Sequence, residues 1–149
     1  ISKGDVVRTS QGSAKVLCVL KTICKDNAIK LVQRGSLLVT PWHPIKINHQ
    51  WDFPINHGTA NKISCSAVYS FLLEAGFQDM EIEGIYCITL AHGIQDDKVA
   101  SHPFYGTHRV VDTLKSSSQF ASGCVELQGG NCLTIDAETN LVCGLRFVV

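Results

Sequence analysis

Neither sign of charge prevails in this chain: 13 Lys and Arg balance 13 Asp and Glu over 149 residues, and only 17% of positions are charged. With no basic excess there is no electrostatic footprint for DNA, RNA or an anionic membrane, so nucleic acid is not an expected partner. Long apolar runs are missing as well. None approaches the roughly 20 residues of a spanning helix, and no charged start with an apolar core resembles a signal peptide. The 45% hydrophobic content argues against a disordered tail. The expectation is a soluble, cytoplasmic, monomeric domain with no membrane partner.

Tight metal-ligand spacings are also lacking. His43, His49 and His57 cluster loosely and His102 and His108 stand six apart. Neither C-x-x-C nor H-E-x-x-H occurs, so no metal is expected. Gly129 and Gly130 precede Asn131 in a hairpin loop rather than opening a helix, which gives phosphate no cradle. No cofactor is expected. The seven cysteines are odd in number and spread through apolar segments. That pattern indicates reduced, buried thiols in a reducing compartment, not a disulfide framework. The chain opens with Ile1 rather than Met, which suggests a piece of something longer.

What is there reads as β-structure in one globular unit. Residues 5–8, 14–23, 29–32 and 36–40 are β-branched or aliphatic runs separated by Gln11-Gly12, Lys25-Asp26-Asn27 and Arg34-Gly35, the pattern of antiparallel hairpins. Residues 46–63 lack periodicity and read as a long loop. Two more strands are expected at 66–74 and 81–90, split by the turn at Gly76. A short helix fits 109–114, and strands at 123–127, 133–136 and 141–148 form a terminal hairpin around the turn at 136–140.

One strand ends in an arrangement with chemical content, LLVTPWHPI, where Thr40 and His43 stand three positions apart with Pro41 and Pro44 restricting the backbone beside them. Cutting a peptide bond requires a proton for the departing nitrogen and a donor for the charge developing on the carbonyl oxygen. An imidazole of ordinary pKa about 6.5 suits the first task. The Thr40 hydroxyl suits the second, or orients His43. The plain structural alternative is a strand end with Trp42 in the core and His43 bonding a buried carbonyl.

LLVTPWHPI resembles the Thr-x-x-His block of inteins and hedgehog autoprocessing domains, and AVYSFLLEAGFQDMEIEGI resembles a later block of the same Hint superfamily. GIYCITLAHGI followed by ASHPFYGTHRVVDTL is closer still to the Vint branch, found in von Willebrand factor A-containing proteins. The resemblance implies an all-β fold, a pseudo-twofold antiparallel β horseshoe over residues 1–91, with a β-rich Vint-type extension, 92–149, packed on it. ISKGDVVRT resembles the family's second strand, so the nucleophile-bearing first strand is expected outside this chain. The implied activity is self-cleavage in cis. A Cys or Ser attacks the preceding carbonyl, an amide becomes a thioester or ester, and water or a small thiol resolves it. The partner is then the protein's own upstream polypeptide.

Under that resemblance Thr40 and His43 are the expected catalytic residues. Cys87 is a candidate second thiol or plain core, and His92 and His102 are candidate proton carriers or loop histidines bonded to backbone. The resemblance also has departures. Phe77 stands where the family commonly has a histidine, and the His-Asn that ends inteins is missing, which points to hedgehog-like N-terminal cleavage rather than full splicing. A cleavage-incompetent scaffold acting as an interaction module is the alternative. A Cys/His hydrolase acting in trans lacks any nucleophile motif.

Overall fold

The computed structural model describes residues 1–147, and apart from one α-helix and three short 3-10 segments its regular elements are strands. Strands β1 (Val6–Thr9) and β2 (Gly12–Ile23) form the first hairpin. Strand β3 (Ala28–Arg34) pairs with β4 (Leu37–Val39). The stretch 46–63, which reads as a loop in the sequence, instead carries strand structure. It holds most of β5 (Ile45–Ile47), β6 (Gln50–Asp52) and most of β7 (Ala60–Ser64), the last pairing with β3. The β5–β6 turn is Asn48-His49, both at positive φ of 51° and 66°. Two left-handed residues match the twist of a two-residue hairpin, and the usual glycine cue is replaced by histidine.

Strand β8 (Ala67–Leu73) pairs with β2 across a long register. The run 81–90 is not one strand. It turns at Glu83-Gly84, again both left-handed at 51° and 78°, between β9 (Asp79–Ile82) and β10 (Ile85–Ile88). Helix α1 (His108–Lys115) forms close to its expected place, capped by the Thr107 hydroxyl and burying Val110, Val111 and Leu114. Strand β11 (Cys124–Gln128) lies parallel to β2 and joins its sheet, while β12 (Leu133–Ile135) and β13 (Val142–Leu145) make the terminal hairpin. The expected end of that last strand at Val148 lies outside the described residues.

Strand β2 organises the core. Its register against β8 shifts between Val16 and Cys18, and a one-residue shift exchanges the faces of a strand. Ala14 and Val16 therefore pack with Leu73 and Met80, whereas Cys18 and Leu20 pack with Leu72, Leu90, Phe104 and helix α1. The second cluster joins strands from before residue 91 to the helix and β11 beyond it. A third cluster of Leu37, Val39, Ile45, Ile47 and Cys87 underlies the ends of β4, β5 and β10, close to TPWHP. No helix among the described residues is long and apolar enough to cross a membrane.

Candidate functional site

TPWHP turns the chain from β4 into β5. The His43 N–H donates to the Thr40 carbonyl at 3.2 Å, closing a turn across Pro41 and Trp42, and the Pro41 carbonyl accepts from Ile55 N–H at 3.1 Å. Trp42 is not core. It is 67% exposed and sets its ring edge-on to Phe53 with centroids 5.2 Å apart. The Phe53 segment is itself held by Asp52, which accepts from Phe53 N–H, Asn56 Nδ2 and His57 Nε2. Its carboxyl is pulled down to about 2, chiefly by the His57 bond.

The His43 ring points at the end of β10. Its Nε2 lies 3.0 Å from the Ile88 carbonyl, while Ile88 N–H donates to the Pro44 carbonyl at 3.1 Å, so His43 and Pro44 hold both backbone polar groups of Ile88. A carbonyl only accepts, so Nε2 carries the proton, and the Nδ1 lone pair of the neutral ring has no hydrogen-bond partner among the described residues. Burial lowers the His43 pKa, with the Ile88 bond opposing in part. Near neutral pH the ring is a base with its orientation fixed. Thr40 is half-buried at the other end of the same turn, and its hydroxyl makes no hydrogen bond among the described residues.

Cys87, the residue before Ile88 on β10, lies opposite Ile45 and is 3% exposed. Burial, reinforced by the nearby Asp79 charge, pushes its thiol up to about 12, so it is protonated and packed in the third core cluster. Asp79, on β9 opposite Ile88 of β10, is 1% exposed. It accepts from Ser10 N–H at 2.7 Å and Ser10 Oγ at 2.5 Å, with Lys46 Nζ 3.9 Å away. Its carboxylate thereby ties the β1–β2 turn to the strand pair that carries Ile88.

His92 and His102 belong together, apart from this turn. His92 Nδ1 accepts from Ile94 N–H, and His102 Nδ1 accepts from Phe104 and Tyr105 N–H. Gly106 is the wall between them, because a Cβ there would meet the His92 ring at 2.7 Å and the His102 carbonyl at 2.9 Å. Burial, and then the His102 charge, lowers His92 to about 4; burial lowers His102. None of their hydrogen bonds reaches Thr40 or His43 among the described residues. Those residues also contain no group of three His, Cys, Asp or Glu side chains able to hold a metal ion.

The site is therefore an imidazole with a free nitrogen, a neighbouring alcohol and a held peptide carbonyl, at the junction of β4, β5 and β10. A sequence model of the Vint family, described as a Hint-domain, matches residues 1–144. The chain belongs to the Vint family of Hint domains. No curated protein matches it. In this Vint domain two of the segments that carry the family resemblance, TPWHP and GIYCITLAHG, are joined by the bond between His43 and Ile88. Asp79 and Thr89 were not marked in the sequence. The one available signal for Asp79 was an acidic residue entering a strand with an apolar neighbour.

Proposed function

We propose that this domain cleaves the polypeptide chain at its own N-terminal junction by an N-to-S or N-to-O acyl shift, hedgehog-like rather than splicing. The observation that carries this reading is the His43 imidazole, pinned through Nε2 to the Ile88 carbonyl in the same turn as Thr40, with burial favouring its neutral form. An upstream Cys or Ser supplies the attacking atom. Nδ1 takes the thiol or hydroxyl proton as the new carbon–sulfur or carbon–oxygen bond forms, then returns it to the departing amide nitrogen as the carbon–nitrogen bond breaks. The Thr40 hydroxyl donates to the carbonyl oxygen while it carries charge. Water or a small thiol then opens the thioester or ester and releases the upstream segment.

The lowered His43 pKa suits a group that must first accept a proton near neutrality. Pro41 and Pro44 limit the backbone on both sides of the ring, so little ordering remains for the reaction itself. A cleavage-incompetent scaffold is the competing reading. It is favoured by Phe77, which packs against Ala14, Val16 and Met80 where the family commonly places a histidine. Expressing the full chain with its native upstream residues behind a visible fusion, with and without a small thiol, separates the two. Release that depends on His43 supports cleavage, and an intact chain under all conditions supports the scaffold.

A further inference from the structure

Among the described residues one buried side-chain polar atom has no hydrogen-bond partner, Oγ1 of Thr89, in a residue only 3% exposed. The backbone N–H groups of Thr89 and Leu90 and the carbonyl of Ile88 are all paired. Thr89 N–H donates to the Gln78 carbonyl at 3.1 Å, and Leu90 N–H donates to the Phe71 carbonyl at 2.9 Å. The carbonyl just before Thr89, that of Ile88, is the one that accepts His43 Nε2. Thr89 is also where the chain leaves the β9–β10 sheet and runs beside β8, through the Leu72–Leu90 bridge. Covalent geometry thus sets the unpaired hydroxyl one peptide unit from the atom that orients the proposed catalytic base.

Valine would occupy the same space without a polar atom. A buried hydroxyl left unpaired lowers the folding equilibrium constant by about tenfold, and such groups are rare in folded chains. A local cost of this kind beside the His43 acceptor points to a partner that arrives from elsewhere. We propose that the Thr89 hydroxyl positions the substrate, hydrogen-bonding the backbone of the upstream segment when that segment lies against Thr40 and His43. The proposal rests on the self-cleavage reading for its substrate. It adds a residue whose work is alignment.

The test uses Thr89→Val and Thr89→Ser in two forms of the protein, residues 1–149 and the full chain with its native upstream residues. In the full chain, Thr89→Val slows N-terminal release about tenfold, the worth of one hydrogen bond, while Thr89→Ser keeps the wild-type rate. In residues 1–149, Thr89→Val raises the melting midpoint by about 3 °C, because an unpaired group has been removed. In a full chain held uncut by His43→Ala the same substitution gives no such rise, because there the hydroxyl is paired. Wild-type cleavage rates for Thr89→Val, or equal stabilisation in both forms, overturn the assignment. If the unmodified full chain never cleaves, the self-cleavage reading fails, and the melting comparison alone decides the role of Thr89.

Discussion

Acidification from pH 7 to pH 4 should weaken the fold through His92 before any catalytic group is considered. The ring is buried against Gly106, its Nδ1 accepts a backbone N–H, and its pKa falls from 6.5 in the open chain to about 4. The folded state therefore binds this proton less readily than the unfolded state does. The contribution of His92 is complete above pH 6.5 and shrinks as pH falls toward 4, where it levels off. The full shift corresponds to about 3 kcal/mol, and residual solvent screening around the cradle reduces it to about 1.5 kcal/mol. His102, also lowered by burial, acts in the same direction. Asp52 acts elsewhere on the scale: its stabilisation holds above 3.8 and is lost only as pH falls toward 2. Urea unfolding followed by fluorescence at half-unit steps measures the slope. His92→Gln should cost stability at pH 7 and flatten the slope between 6.5 and 4. A wild-type stability that stays level over that interval, or an unchanged slope in His92→Gln, refutes the reasoning.

Gly106→Ala drives a methyl group to within 2.7 Å of the His92 ring and 2.9 Å of a backbone oxygen, so it should lower stability by about 2 kcal/mol, measured by the same unfolding curves. Cys87, with its thiol pushed up to about 12, should resist iodoacetamide at pH 8 in the folded chain and react in urea, as read by peptide mass spectrometry. Thr40→Val removes the proposed oxyanion donor and should slow cleavage of the full chain by about a hundredfold while leaving the melting midpoint near wild type.

The turn that carries Thr40 and His43 was legible because prolines and a β-to-turn transition mark it in the sequence, and the family blocks around it lie in order. The first strands and the helix were legible from periodicity. The hairpins at Asn48-His49 and Glu83-Gly84 were obscured for different reasons. One lacks the expected glycine, and the other, although it carries Gly84, lies between the alternating Glu81-Ile82-Glu83 and the apolar Ile85–Ile88, which together read as one strand. The parallel pairing of β11 with β2 is a long-range choice that no local signal encodes. The sequence left both readings of His92 and His102 open, and the folded chain assigns their Nδ1 atoms to backbone N–H groups. Thr89 could not be found at all from its residue type. A threonine in a strand-like run is ordinary, and only the folded surroundings show that its hydroxyl is unpaired.

The most direct test of the account is the fate of a visible N-terminal fusion on the full chain, compared between wild type and His43→Ala at pH 7 with a small thiol present. Removing a positioned proton carrier should slow release by about 10²- to 10⁴-fold. Equal release from the two proteins would contradict a role for the imidazole held on Ile88. No release from wild type would contradict self-cleavage itself.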